Sequence, residues 1–158
     1  MPPITAVLHT RNDALRLGRC LETLYPCDEI LIVDHGSVDG TVQVARGYSA
    51  LVVAADKGKS AADYLRSLAP GWILCLDPRE SVSESLAASL YEWKSHSDPQ
   101  APAYSVFLRE ETTVGWVELP AAQTRLIPAS WSRWYKSLPV SDPSALALEG
   151  PLLRFDFP

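Results

Sequence analysis

Several features are scarce or missing in this chain, and each absence excludes something. No uninterrupted apolar stretch approaches the roughly 20 residues that cross a bilayer, and the N-terminus lacks a basic region followed by an apolar one. A cytoplasmic protein that meets a membrane only through a partner or substrate is therefore expected. Cysteine is sparse. Cys20, Cys27 and Cys75 have no metal-like spacing, and Cys20 and Cys75 lie inside apolar segments, so they read as buried free thiols in a reducing compartment. The three histidines, His9, His35 and His96, are too scattered to suggest a metal site, and His35 reads as a turn residue. No Lys/Arg cluster offsets a net charge of -5 and a pI near 5.1, which argues against nucleic acid as a partner. Any anionic ligand would need local help. Internal repeats are absent, as is any Gly-rich phosphate loop of the nucleotide-triphosphatase or dinucleotide type. What remains is a 158-residue chain, 47% hydrophobic and 21% charged, with the size and composition of one globular domain.

Its organising stretch is Glu29 to Thr41. Ile30 to Val33 is a continuous apolar run suited to a parallel strand buried on both faces, and Asp34 stands where that strand leaves the sheet. Ligands of open α/β sheets bind outside the carboxyl ends of strands. Ser37 and Asp39, among the glycines Gly36 and Gly40, can cap a helix starting near Thr41, with Val42 and Ala45 facing inward. Before it, Ile4 to Leu8 is a first strand. Asn12 or Asp13 then caps a helix with a stripe of Leu17, Leu21 and Leu24, closed by Pro26. After it come a strand over Leu51 to Ala54, a helix carrying Ala61, Tyr64, Leu65 and Leu68 that Pro70-Gly71 breaks, and a fourth buried strand, Trp72 to Leu76. Strand and helix alternate, the pattern of a mostly parallel sheet with helices on its faces.

Ser81 and Glu84 have capping-box spacing for a helix burying Leu86, Leu90 and Trp93. Past the polar, proline-bearing break at Ser95 to Pro102 the grammar changes. Tyr104 to Leu108, Val114 to Leu119, Gln123 to Ile127 and Leu152 to Phe157 read as strands of a short β-rich C-terminal part. Trp116, Trp131 and Trp134 can stack on a sugar ring or fill a core, and Lys57 and Lys59 beside Gly58 can meet phosphate or water.

Four pieces together resemble the family 2 glycosyltransferases: Ile4 to Asp13, Glu29 with Ile32-Val33-Asp34, Gly36 to Thr41, and Trp72 to Asp77. Within that family the chain is most similar to bacterial enzymes that build lipopolysaccharide cores, hence cell-envelope polysaccharide. The resemblance implies a nucleotide-diphospho-sugar transferase fold of GT-A type. It also implies transfer of a sugar, from a UDP-sugar for example, to a hydroxyl of a saccharide or lipid-linked acceptor with inversion. Residues 1–158 are then one domain, 1–94 its nucleotide-binding α/β half and 103–158 its acceptor side. By position Thr10, Arg11 and Asp13 would line the nucleotide pocket, Asp34 would bind base or ribose, and Ser37 and Asp39 would shape the pocket. Lys57 and Asp63 would lie along its floor, and Asp77 matches the first acid of the Asp-x-Asp motif.

Two departures qualify this resemblance. The family motif ends in an acid that holds a divalent cation, whereas this chain reads Asp77-Pro78-Arg79-Glu80. Magnesium and manganese want carboxylate oxygens and a guanidinium repels them, so no cofactor is expected, and Asp77 and Glu80 would be ligands only if a metal binds. Arg79 either stands in for the ion against phosphate or is solvated. The second departure concerns the base an inverting transfer needs. Glu110, Glu111 and Glu118 are the acids available, and none lies in a segment that matches a family base. A non-catalytic relative, binding nucleotide sugar or serving as a scaffold, is the rival reading, and a plain α/β domain for another nucleotide is the third.

Overall fold

The computed structural model describes residues 2–68, 71–96 and 98–158. Pro70, expected to break a helix, and Ser97, in the expected polar break, lie outside the described residues. In chain order the elements of the first part are β1 (Ile4–Thr10), α1 (Ala14–Glu22), β2 (Glu29–Asp34), α2 (Thr41–Gly47), β3 (Leu51–Ala54), a 3₁₀ turn (Ala61–Leu65) and β4 (Trp72–Leu76). They continue with β5 (Glu80–Val82), α3 (Glu84–Ser95), β6 (Tyr104–Thr112), β7 (Gly115–Glu118) and β8 (Gln123–Pro128). A small hairpin of β9 (Trp134–Tyr135) and β10 (Leu138–Pro139) precedes the last strand, β11 (Leu146–Arg154).

One large mixed sheet runs β3-β2-β1-β4-β8-β6-β11-β5, with β7 paired to β6. Strands β3, β2, β1 and β4 are parallel, in register Thr10↔Asp34 and Asp34↔Ala54, so their carboxyl ends open on one edge. Alternation along these strands feeds two cores. Ile4, Ala6, Leu8, Ile32 and Leu74 pack beneath α1 and α3, whereas Val7, Leu31, Val33, Ile73 and Cys75 meet Tyr64, Leu65 and Trp131 on the opposite face. Burial on both faces is why these strands read as unbroken apolar runs.

The C-terminal β-rich part differs from its expected form. Its strands β6, β8 and β11 extend the main sheet through antiparallel β4–β8 pairing. The last strand begins at Leu146 and ends at Arg154, where Leu152 to Phe157 was expected. Helix α3 starts two residues later than the Ser81–Glu84 spacing suggests. Ser83 is the cap and its hydroxyl accepts from the Leu86 amide at 3.2 Å, because Glu80–Val82 is committed to pairing with β11. The helix expected over Ala61 to Leu68 shrinks to one 3₁₀ turn, with Ser60 and Asp63 forming the capping box. On α2 the inward positions are Thr41 and Ala45, while Val42 is only half-buried. Cys20 and Cys75 are buried and Cys27 half-buried, all three as free thiols.

Candidate functional site

At the carboxyl ends of β1, β2 and β4 lies a cleft of two adjoining lobes that share His9, Arg11 and His35. The larger lobe, about 880 Å³, is closed by Asp56, Lys57, Lys59 and Tyr64 on one side and by Trp134, Lys136 and Ser137 of the β9–β10 hairpin on the other. The smaller, about 390 Å³, is lined by Thr10, Asp13, Arg16, Asp77, Pro78 and Arg79. A separate groove of about 430 Å³ between α3 and β11, with Trp93, His96 and Tyr104 among its walls, contains none of the expected site residues.

The loops after β1 and β2 are stitched into one surface. The Asn12 amide donates to Ser37 Oγ at 2.9 Å and the Val38 amide to Asn12 Oδ1 at 2.9 Å. Asp13 N donates to Thr41 Oγ1 at 2.8 Å, and Ala14 N to Asp39 Oδ2 at 3.2 Å. Asn12 and Gly36 both have positive φ, which lets each loop turn tightly enough to reach the other. Asp39 also accepts from the Thr41 amide and hydroxyl, so one carboxylate serves the starts of α1 and α2. The hydrogen bond from the Thr41 hydroxyl leads the causes that hold the Asp39 pKa below its ordinary value.

Asp34 sits behind this surface, with its carboxylate taken up by the protein. Oδ1 accepts from Thr10 Oγ1 at 2.8 Å and Ser37 Oγ at 2.6 Å, and Oδ2 from the Ser37 amide at 2.9 Å. Burial alone would raise its pKa, but these bonds outweigh it and the carboxyl stays below its ordinary range.

Thr10, Arg11, Asp13, Lys57, Asp77 and Arg79 are thus brought together from segments distant along the chain; Asp34, Ser37 and Asp39 do not line the cleft but hydrogen-bond to the end of β1 and the loop after it. Asp63 is not among the lining residues. Its carboxylate accepts from the Ser60 amide at 2.7 Å and pairs with Arg66 at 3.0 Å. Nor do the candidate bases line the cleft. Glu118 pairs with Arg109 at 2.8 Å on the exposed β6–β7 hairpin, and Glu111 Oε1 accepts from the Phe157 amide at 3.2 Å. Glu110 approaches closely enough to help raise the Arg79 pKa, behind the larger contribution of the Asp77 hydrogen bond. Of the tryptophans, Trp134 lines the cleft, Trp131 is buried, and Trp116 packs on Phe155 at a centroid distance of 5.1 Å.

The donor set for a divalent ion does not fit. Asp77 Oδ1 accepts from both the amide and Nε of Arg79, at 2.9 and 3.0 Å, so a guanidinium stands against this carboxylate where a metal would have to bind, while the rest of the half-exposed Arg79 side chain faces the smaller lobe. Glu80, the other conditional ligand, is fully buried. Arg125 grips it at 2.7 and 2.9 Å, Arg154 Nη2 donates to Oε2 at 2.9 Å, and the Asp77 amide donates to Oε1 at 2.8 Å. No oxygen of Glu80 is left for a metal, and the described residues hold no cluster of three or more metal-ligating side chains. Sequence reading passed over this triad. Its signal was Arg125 inside an apolar strand, which demanded a buried acid.

His9 was passed over as well. Its Nδ1 lies 2.8 Å from His35 Nε2, a contact set by adjacent parallel strands ending level with each other. Burial, with a smaller effect of His35, pushes the His9 pKa down to about 4, so the His9 ring is neutral at pH 7.

An α/β sheet whose parallel strand ends carry a polar cleft belongs to the class of open α/β folds that bind ligands at those ends. Comparison with known proteins narrows it. No family model matches the chain. It is 31% identical over 115 residues to an uncharacterized glycosyltransferase of Rickettsia felis, covering 68% of this chain and 40% of that protein. It is 44% identical over 46 residues to the lipopolysaccharide core biosynthesis glycosyltransferase LpsC of Rhizobium meliloti, covering 29% of this chain and 17% of that one. The chain therefore spans less than half the length of these curated relatives. Residues 1–349 of S. aureus TarS share the fold with TM-score 0.55 and 16% identity, over 75% of this chain and 38% of that one. So does a glucosyl-3-phosphoglycerate synthase of Mycobacterium tuberculosis solved with Mn2+, UDP and glucosyl-3-phosphoglycerate, with TM-score 0.51 and 19% identity, over 68% of this chain and 44% of that one. By sequence the chain is similar to glycosyltransferases over part of their length, and its fold is the α/β fold of GT-A type that these solved structures have.

Proposed function

We propose that this chain binds a nucleoside-diphosphate sugar, a UDP-sugar in the first instance, at the β1–β2–β4 strand ends. From there the sugar passes to the hydroxyl of a saccharide or lipid-linked acceptor, with inversion. The observation that carries this reading is the convergence of Thr10, Arg11 and Asp13 after β1, Lys57 after β3, and Asp77 and Arg79 after β4 on one cleft. It is supported by the glycosyltransferase names of the relatives and by UDP in the complexes of the structural neighbours.

In this reading Asp34 acts through its neighbours. Its three internal hydrogen bonds fix Thr10 and the Ser37 turn so that their remaining polar groups face the nucleoside. Trp134 offers an aromatic face to base or sugar. Glu110 is the candidate base nearest in effect to the Asp77–Arg79 turn, with residues 1–94 as donor half and 103–158 as acceptor side of one domain. Among the described residues no helix is long and apolar enough to cross a membrane. We place the protein in the cytoplasm, where nucleotide sugars would reach it, acting on a cell-envelope polysaccharide precursor.

Calorimetric titration with UDP, UDP-sugars and ADP tests the reading. Saturable binding of UDP and a UDP-sugar in preference to ADP is expected. Absence of affinity for every nucleoside diphosphate, with and without manganese, would overturn it.

A further inference from the structure

The two lobes of the cleft differ in how their charges are balanced. In the smaller lobe Asp77 is paired with Arg79 at 3.0 Å and Asp13 lies 3.7 Å from Arg16. In the larger lobe Arg11, Lys57, Lys59 and Lys136 face the same space, and none of the four forms an ion pair among the described residues. The one carboxylate lining that lobe is Asp56, whose Oδ1 accepts from the Gly58 amide at 2.9 Å. A protein of net charge -5 thus collects four unpaired cations around one cavity.

These cations come from three separate segments of the chain. Arg11 follows β1, Lys57 and Lys59 follow β3, and Lys136 occupies the two-residue turn between β9 and β10. Lys136 has φ 54, a left-handed conformation that a lysine adopts only at a cost. A tight hairpin of this length needs positive φ at its first turn position, and here that position carries a cation over the cleft instead of glycine or asparagine.

Resting on the donor reading above, we infer that this chain holds the diphosphate of its donor on Arg11, Lys57, Lys59 and Lys136, with no divalent ion. The chemistry is complementary on both sides. Both oxygens of Glu80 are taken by Arg125 and Arg154 and the Arg79 guanidinium lies against Asp77 Oδ1, whereas the cations of the larger lobe form no ion pair among the described residues. A guanidinium and three ammonium groups donate charge-assisted hydrogen bonds to phosphate oxygens, and crowding like charges in one cavity is relieved when an anion enters it.

Binding of UDP, uridine and inorganic pyrophosphate is measured by calorimetry in EDTA and again with manganese, for wild type, Lys57→Ala and Lys136→Ala. The expected result is UDP and pyrophosphate binding in EDTA, unchanged by manganese. Each lysine variant should weaken both by about five- to tenfold, in line with loss of one charge-assisted contact, while uridine affinity stays the same and reports an intact fold. UDP binding that requires manganese would overturn the inference and leave the donor reading standing. Metal-free UDP binding that ignores both substitutions would overturn it too. Pyrophosphate bound in EDTA without any preference for UDP would support the anion cradle and remove the nucleotide. Failure of all three probes under both conditions would overturn both.

Discussion

Two groups of charged residues, one behind the Asp77 turn and one around the larger lobe of the cleft, show how one set of residue types serves two purposes. In the Arg125–Glu80–Arg154 triad Glu80 and Arg125 are buried and Arg154 half-buried, each charge is answered by the opposite charge, and the Asp77 amide is held by the same carboxylate. In the larger lobe of the cleft the cations are exposed and unanswered. Removing one member of the first group strands its partner in a low-dielectric interior, so the triad fixes structure. The second group gains a partner only when an anion arrives, so it is suited to binding.

The strongest way to break this contrast is to unpair the triad. Glu80→Ala leaves the buried Arg125 and the half-buried Arg154 without their acid, and a loss of about 3–5 kcal/mol is expected in urea denaturation. Asp34→Ala comes next. It frees Thr10 and the Ser37 turn from their shared acceptor, which should cost about 1–3 kcal/mol and weaken UDP binding in the same titrations.

A smaller effect belongs to His9, between the two lobes of the cleft. The His9 pKa is lowered from its ordinary 6.5 to about 4, so the unfolded chain takes up a proton that the folded one refuses. This contribution to stability is fully present above pH 6.5 and is lost as the pH falls toward 4. His9→Gln should flatten that part of the stability profile, measured by denaturation between pH 7 and 4. The smallest effect belongs to Glu118→Ala. The exposed Arg109–Glu118 pair should be worth less than about 1 kcal/mol in the same denaturation assay.

The contrast also marks what could be read from the letters. The bounds of β3 and β4 were legible because both are short apolar runs, and the ends of β1 and β2 differ only by the polar residues that continue them. The cleft residues Thr10, Arg11, Asp13 and Asp77 were legible through the resemblance to a known family, and Arg79 as a departure from its motif. Pairings across long stretches of sequence were not. Strand β5 is three residues long and exists through its partner β11, and this displaced the cap of α3 from Ser81 to Ser83. The acid Glu80 gave no sign of Arg125 and Arg154, and His9 and His35 meet only because their strands are neighbours. Lys136 was hidden in a hairpin turn without the glycine or asparagine that announces one.

The most direct measurement is the position of bound UDP, read from amide chemical-shift changes in the protein or from a cocrystal. The expected location is the strand-end cleft, with the nucleoside against the Thr10 and Ser37 loops and the diphosphate toward Lys57 and Lys136. UDP seated in the groove between α3 and β11, or away from the ends of β1 and β2, would contradict it.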